Sequence, residues 1–171
     1  MSVQLHPAEL DDVDHLVALN GLVQDLHADL SPQIFRRDWN GAELTQFWQA
    51  TLSGANGRVL IARAGGQAVG YIWMEPQIRD ADPLRHARRR IYVHHICVLP
   101  NWRGRGIAAR LLAAADDFAR EMDAPTVLLD VWHENMVGRK AFERVGFTPL
   151  NLLMSRRLRM EEGANNLERG D

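Results

Sequence analysis

The chain has little of what usually marks a special environment. Its 171 residues include a single cysteine, Cys97, so no internal disulfide forms and no cysteine cluster holds zinc. No run approaches the roughly 18 apolar residues of a membrane span. The opening MSVQLHPAELDD lacks the basic-then-apolar order of a secretion signal. Positive charge is not in excess: 20 Lys+Arg against 22 Asp+Glu leave a formal net charge of −2, whereas a general nucleic-acid binder is clearly basic. There is no GK[ST] phosphate loop, no internal repeat and no low-complexity segment. These absences lead us to expect a cytoplasmic single domain over residues 1–160 with a polar, frayed tail at 161–171. Neither a nucleic acid, a membrane nor a metal ion is expected as a partner.

What is present is an ordinary core-forming composition, 46% hydrophobic and 25% charged. Val3–Leu5 reads as a short strand. Glu9 to Asn20, running on to His27, and Ala42 to Leu52 carry apolar residues at helical spacing. Val59–Ala62 and Val69–Met74 flank Gly65-Gly66 as a hairpin. The polar, arginine-bearing stretch Gln77 to Arg90 reads as mostly loop, a solvated edge or a site for an anionic group. Ile91–Val98 reads as a strand, Arg105–Met122 as the best helix, Thr126–Val131 as a strand and Met136–Val145 as a short helix. Phe147–Leu158 is expected as a last strand, single or exchanged with a second subunit. The order β-α-α-β-β-β-α-β-α-β predicts an α/β fold with one mixed central sheet and helices on both faces, and it does not fit a doubly wound sheet.

The chemistry lies in Ile96-Cys-Val-Leu-Pro-Asn-Trp-Arg-Gly-Arg-Gly-Ile-Ala108. A strand enters a proline-bounded turn, then a loop with Gly104 and Gly106, then the long helix. Glycines let a ligand approach the backbone, and the free N–H groups at a helix start, helped by Arg103 and Arg105, favour a pyrophosphate. One reading is a dinucleotide fingerprint, Gly104-x-Gly106-x-x-Ala109 with Asp130 as ribose acceptor, but that fingerprint wants its turn directly after the strand. The other fits better. Val98-x-Pro100 followed by Arg103-x-x-Gly106-x-Ala108, with Asn135, Ala141-Phe142-Glu143 and Gly146-Phe147 downstream, resembles the GNAT superfamily, the general N-acetyltransferases. The resemblance covers residues 90 to 150 and, more loosely, the whole order of elements.

That resemblance implies the GNAT fold and acetyl-CoA as co-substrate. It implies that the loop Arg103, Gly104, Arg105, Gly106, Ile107 and Ala108 holds the pyrophosphate. Backbone groups of the Ile96-Cys97-Val98 strand would bond the pantetheine arm and polarise the thioester carbonyl. Asn135 either bonds the pantetheine or caps the helix that begins at Met136. Phe142 stands where many members place a proton-donating tyrosine, and the two tyrosines of this chain, Tyr71 and Tyr92, lie elsewhere.

A general base is needed because an amine attacks only when neutral, and a lysine-type amine of pKa about 10.4 is under about 1% neutral at pH 7. Asp130, at a place where some members carry a catalytic glutamate, and His94 are the candidates, with Tyr92 beside them. Each also has a plain structural reading, as a strand carboxylate or a core histidine. Strand alternation places Tyr92, His94, Ile96 and Val98 on one face and His95 and Cys97 on the other. Cys97 reads as a buried, inert thiol. For the acceptor site the candidates are His27, Phe35, Trp39 and Glu75, where aromatics beside charges either clamp an amine or pack a helix. The expected activity is direct transfer of acetyl from acetyl-CoA to a primary amine on a small molecule or a peptide, with a homodimer as a further expectation. The alternatives are a non-catalytic acyl-CoA-binding module and a nicotinamide-dinucleotide enzyme.

Overall fold

A computed structural model of the protein describes residues 2–156 and 158. The elements are β1 (Val3–Pro7), α1 (Val13–Leu30), α2 (Gly41–Ser53), β2 (Arg58–Ala64), β3 (Gln67–Arg79), β4 (Arg88–Val98), α3 (Ile107–Glu121), β5 (Val127–Leu129) and α4 (Met136–Arg144). The strands form one sheet in the order β1-β2-β3-β4-β5. The first four are antiparallel, and β5 runs parallel to β4 after the α3 crossover.

Local chemistry sets the boundaries. Gly65 and Gly66 both take positive φ, 56° and 85°, and close the β2–β3 hairpin with the turn that suits the right-handed twist of its strands. The Asn40 side chain accepts the Ala42 N–H at 2.8 Å and starts α2. Ahead of α1, Glu9 N–H donates to Asp12 at 3.0 Å, and Asp12, nearly buried, is ion-paired with Arg63 of β2. That pairing ties the helix entry to the sheet.

The helices cover both faces of the sheet. On one, α3 lays Ile107, Leu111, Ala115, Phe118 and Ala119 onto Ile72, Met74, Ile91 and Val93. On the other, α1 and α2 press Leu16, Leu19 and Trp48 onto Ile61 and Tyr71. Burying a side chain such as Leu111 or Ile72 contributes about 1.5–3 kcal/mol each.

Several expectations are corrected. Gln77 to Arg90 is loop over residues 80–87, but its two ends are strand: β3 runs to Arg79 and β4 begins at Arg88, because the pairs Gln77↔Arg90, Ile78↔Arg89 and Arg79↔Arg88 continue the ladder past the core. Polar side chains on a solvated ribbon hide a strand from a search for apolar alternation. The expected last strand over Phe147–Leu158 does not form in the described residues: residues 148–156 are exposed and unpaired. Asp130 does not lie within a strand, since β5 ends at Leu129. The expected tail at 161–171 lies outside the described residues.

The face assignment along β4 is corrected as well. Trp73 pairs with His95 but Met74 pairs with Val93, so His94 is an extra residue, a β-bulge. Ile91 and Val93 face α3 before the bulge, and Ile96 and Val98 face it afterwards. Tyr92, His94, His95 and Cys97 therefore share the α1–α2 face. There His94 stacks on Trp73, and His95 meets Tyr71.

Candidate active site

The site is built around the place where β4 and β5 part. They are paired only through Ile91↔Val127, Tyr92↔Leu128 and Val93↔Leu129. Beyond Val93, β4 keeps β3 on one side and, among the described residues, has an open edge on the other. Leu99 N–H donates to Val69 of β3, at 2.9 Å. Ladder alternation then turns the backbone groups of Ile96 and Val98 toward the open edge.

This edge runs into the glycine loop. Gly104 and Gly106 both take φ of 74°, a left-handed conformation open to glycine at little cost, with open space where a side chain would stand. The first helical bond of α3 is Arg110 N–H to Gly106 O. Among the described residues, the amides of Gly104 through Ala109 have no backbone partner, and a row of unpaired donors at a helix start is a seat for an anion. Arg103 Nε donates to Val98 O at 3.1 Å, and Arg105 rests over the Trp102 ring, its guanidinium carbon 4.6 Å from the centroid. Both guanidiniums brace the loop and leave their charge beside it. The loop and edge thus suit the pyrophosphate and amide-bearing arm of a CoA thioester.

On the α1–α2 face, two acid-bearing pairs meet at the same notch. His94 Nε2 lies 3.0 Å from Glu75 Oε2, and Tyr92 OH donates to Asp130 Oδ2 at 2.6 Å. The rings of Tyr92 and His94 are 4.8 Å apart, edge to face. The Tyr92 hydroxyl is pushed up to about 12, first by burial and then by the hydrogen bond to Asp130, so it remains a donor. Burial lowers His95 to about 4 and raises Cys97 to about 11, which makes them a neutral imidazole and an inert thiol.

Aromatic rings wall this face. Trp73 stacks on His94 at 4.1 Å, and Phe47 of α2 meets Trp73 edge-on at 5.4 Å. His27, its pKa lowered by burial, touches Phe35 at 4.7 Å, and Phe35 meets Trp132 at 5.2 Å. An open pocket of about 380 Å³ lies between Phe35 and Phe47 over Gln24 and Glu43.

The structure thus brings Tyr92, His94, Glu75 and Asp130 together, with His27 and Phe35 nearby. Trp39 lines the pocket between Phe35 and Phe47 and is also anchored: its indole N–H donates to Asp25 at 2.9 Å and its ring covers Gly21 so closely that a Cβ there would lie 2.7 Å from it. Asn135 accepts the Gly138 N–H at 2.9 Å and caps α4. Phe142 packs on Phe147 and the α3-side core. Reading the sequence missed Trp73, Trp132 and Phe47. Trp73 was findable, because period-two alternation puts it on the face of Glu75. Trp132 sits in irregular backbone after β5 and carries no such signal.

The site joins a splayed mixed sheet and an open strand edge to a glycine loop whose helix-start amides suit an anion. Comparison with known proteins makes the assignment: the acetyltransferase (GNAT) family profile matches residues 23–147, and the chain belongs to that family. It is similar to the N-alpha-acetyltransferase RimI of Mycobacterium tuberculosis, 32% identical over 127 residues that span 73% of this chain and 72% of that one. It is also similar to the uncharacterized N-acetyltransferase YycN of Bacillus subtilis, 31% identical over 53% of this chain, a match that spans 54% of YycN. Among solved structures, the BH1408 protein from Bacillus halodurans aligns with a TM-score of 0.83 at 20% identity, covering 91% of this chain and 99% of that one. The aminoglycoside N-acetyltransferase AAC(6')-Iy, solved in complex with CoA, aligns with a TM-score of 0.72 at 19% identity over 93% of this chain and 96% of that one. At these identities the two structures establish the shared fold.

Proposed function

We propose that the protein transfers an acetyl group from acetyl-CoA to a primary amine, with both substrates bound at once. The observation that carries this reading is the parting of β4 from β5 after Val93. It puts a free strand edge, a row of unpaired loop amides and the His94–Glu75 pair along one strand. Acetyl-CoA supplies an already activated thioester, so the chain's main contributions are positioning and desolvation.

In this reading the amides of Gly104 to Ala109 hold the pyrophosphate, with Arg103 and Arg105 beside it. The outward groups of Ile96 and Val98 pair with the pantetheine arm as an added strand would. A β4 amide near the bulge polarises the thioester carbonyl. Glu75 accepts the Nε2–H of His94, which leaves the Nδ1 lone pair of His94 to take the proton from the attacking amine. Asp130, held by Tyr92, keeps an oxygen free to orient the amine. Phe142 cannot donate a proton, so the departing thiolate takes one from water. An N-terminal amine, of pKa about 7.7–8.0, is neutral far more often than a lysine and is the easier acceptor. That preference agrees with the relative RimI, an N-alpha-acetyltransferase.

The test is thermal-shift titration with acetyl-CoA, CoA and NAD side by side, followed by thiol release on an amine panel. A ligand at 100 times its dissociation constant stabilises by about 2.7 kcal/mol. The expected result is a shift with the CoA species alone and thiol release with at least one amine. A shift with NAD instead overturns the loop assignment. CoA binding without turnover on any amine leaves an acyl-CoA-binding module.

A further inference from the structure

The β3–β4 ribbon beyond the reacting centre is not absorbed by the functions assigned above. Between Gln77 and Arg90 it carries five arginines against two aspartates, in a chain whose net charge is −2. Three successive cross-strand pairs, Glu75↔Tyr92, Gln77↔Arg90 and Arg79↔Arg88, lie in regular register past the His94 bulge. Alternation therefore puts Arg90, Arg79 and Arg88 on the face that holds His94, Glu75 and Trp73, while Arg89 and Ile78 point to the other face. The 2.8 Å bond from Arg90 Nε to Gln77 Oε1 is consistent with that shared face.

Arg79 and Arg88 are exposed and Arg90 is half-buried. Among the described residues, none of the three is within salt-bridge distance of a carboxylate. These arginines cannot serve the CoA pyrophosphate, because they stand at the start of β4 and the glycine loop follows its end. They stand on the same face as His94 and Glu75, one and two same-face pairs along the ribbon from the Glu75↔Tyr92 pair.

We propose that the acceptor is a peptide whose N-terminal amine is followed, at its third and fifth positions, by acidic side chains that Arg90, Arg79 and Arg88 read. The inference rests on the transferase reading above and specifies its substrate. Successive same-face pairs on the ribbon are roughly 7 Å apart. An extended peptide advances about 3.3–3.6 Å per residue, so every second side chain falls beside the next pair. With the amine at His94, the third residue reaches the Gln77–Arg90 pair and the fifth the Arg79–Arg88 pair. Arginine suits carboxylates through its forked donors, and among the described residues the terminal nitrogens of Arg90 have no partner, its Nε alone bonding Gln77. Asp80 and Asp82 at the ribbon tip and the chain's negative balance disfavour a nucleic acid, which would meet repulsion beyond the three arginines.

Two hexapeptides that differ only in glutamate or lysine at the third and fifth positions test this, alongside a small amine with an uncharged body, by CoA thiol release. The glutamate peptide is expected to show kcat/KM at least about tenfold higher, with the gap narrowing toward about 1 M salt. The double variant Arg79→Glu/Arg88→Glu should invert the preference and leave the small amine unaffected. Equal use of the two peptides, a lysine preference in the unaltered protein, or a preference that survives the reversal overturns the inference. So does tighter binding of a short RNA than of the glutamate peptide, measured by fluorescence anisotropy. Turnover of the small amine with neither peptide accepted overturns the inference alone. Absence of turnover on every amine removes the transferase reading and this inference with it.

Discussion

The two faces of one sheet are made of different material. Against α3, strands β3 and β4 present Ile72, Met74, Ile91, Val93, Ile96 and Val98, all aliphatic. Against α1 and α2 the same strands present the aromatic or imidazole rings of Tyr71, Trp73, Tyr92, His94 and His95, with Glu75 and Cys97 among them. The first face is packing, where volume matters and chemistry is absent. The second holds the titratable groups and their carboxylate partners, and on it the Trp73 indole N–H has no partner among the described residues. One inserted residue, His94, lets two neighbouring histidines share that face and so concentrates chemistry where β4 and β5 part. A β4 without the bulge would send one of them into the α3 core.

Breaking the comparison on its chemical side should have the largest effect. His94→Ala is expected to lower kcat by about 10²–10⁴, the usual worth of a general base, while the CoA-induced thermal shift persists. Steady-state rates and a thermal-shift titration on the same preparation check both halves. On the packing side, Leu111→Ala should cost about 2–5 kcal/mol of stability, seen in denaturant unfolding, with kcat of the folded protein unchanged. A kcat loss from Leu111→Ala matching that from His94→Ala would erase the distinction between the faces.

A smaller effect sharpens it. Burial holds His95 at about 4 rather than its ordinary 6.5, so the unfolded chain binds that proton first as the pH falls. The native advantage is whole above about 6.5 and shrinks as the pH drops toward 4. His95 is only partly shielded from solvent, which limits the effect to no more than roughly 3 kcal/mol. His95→Gln, which still offers Tyr71 a hydrogen-bond acceptor, should flatten the acid side of the melting-temperature profile. The smallest change is expected from Phe142→Tyr. Its ring packs on Phe147, so turnover should rise by no more than a few-fold, and a larger gain would mean that thiolate protonation limits the rate.

The sequence revealed most of the aliphatic side and less of the chemical one. α3 was legible because Ile107, Leu111, Ala115 and Phe118 repeat at helical spacing, and the glycine loop because its motif is local. The bulge was not legible: a one-residue insertion leaves no mark in a Val/Ile-rich strand and reverses every later face assignment. Nor was the pairing of Glu75 with His94 or of Tyr92 with Asp130, since each depends on strand register between distant segments. Within Gln77 to Arg90 the loop over 80–87 was legible, but the strand ends at 77–79 and 88–90 were not, because their polar side chains give no apolar alternation.

The most direct test of the central claim, that the open β4 edge and the glycine loop together hold a CoA thioester, is an amide-resolved NMR titration with CoA. The predicted result is that the amides of Ile96, Val98 and Gly104 to Ala109 shift first and gain protection from hydrogen exchange. If CoA instead perturbs amides elsewhere and leaves these unchanged, the site has been misplaced and the transferase account fails with it.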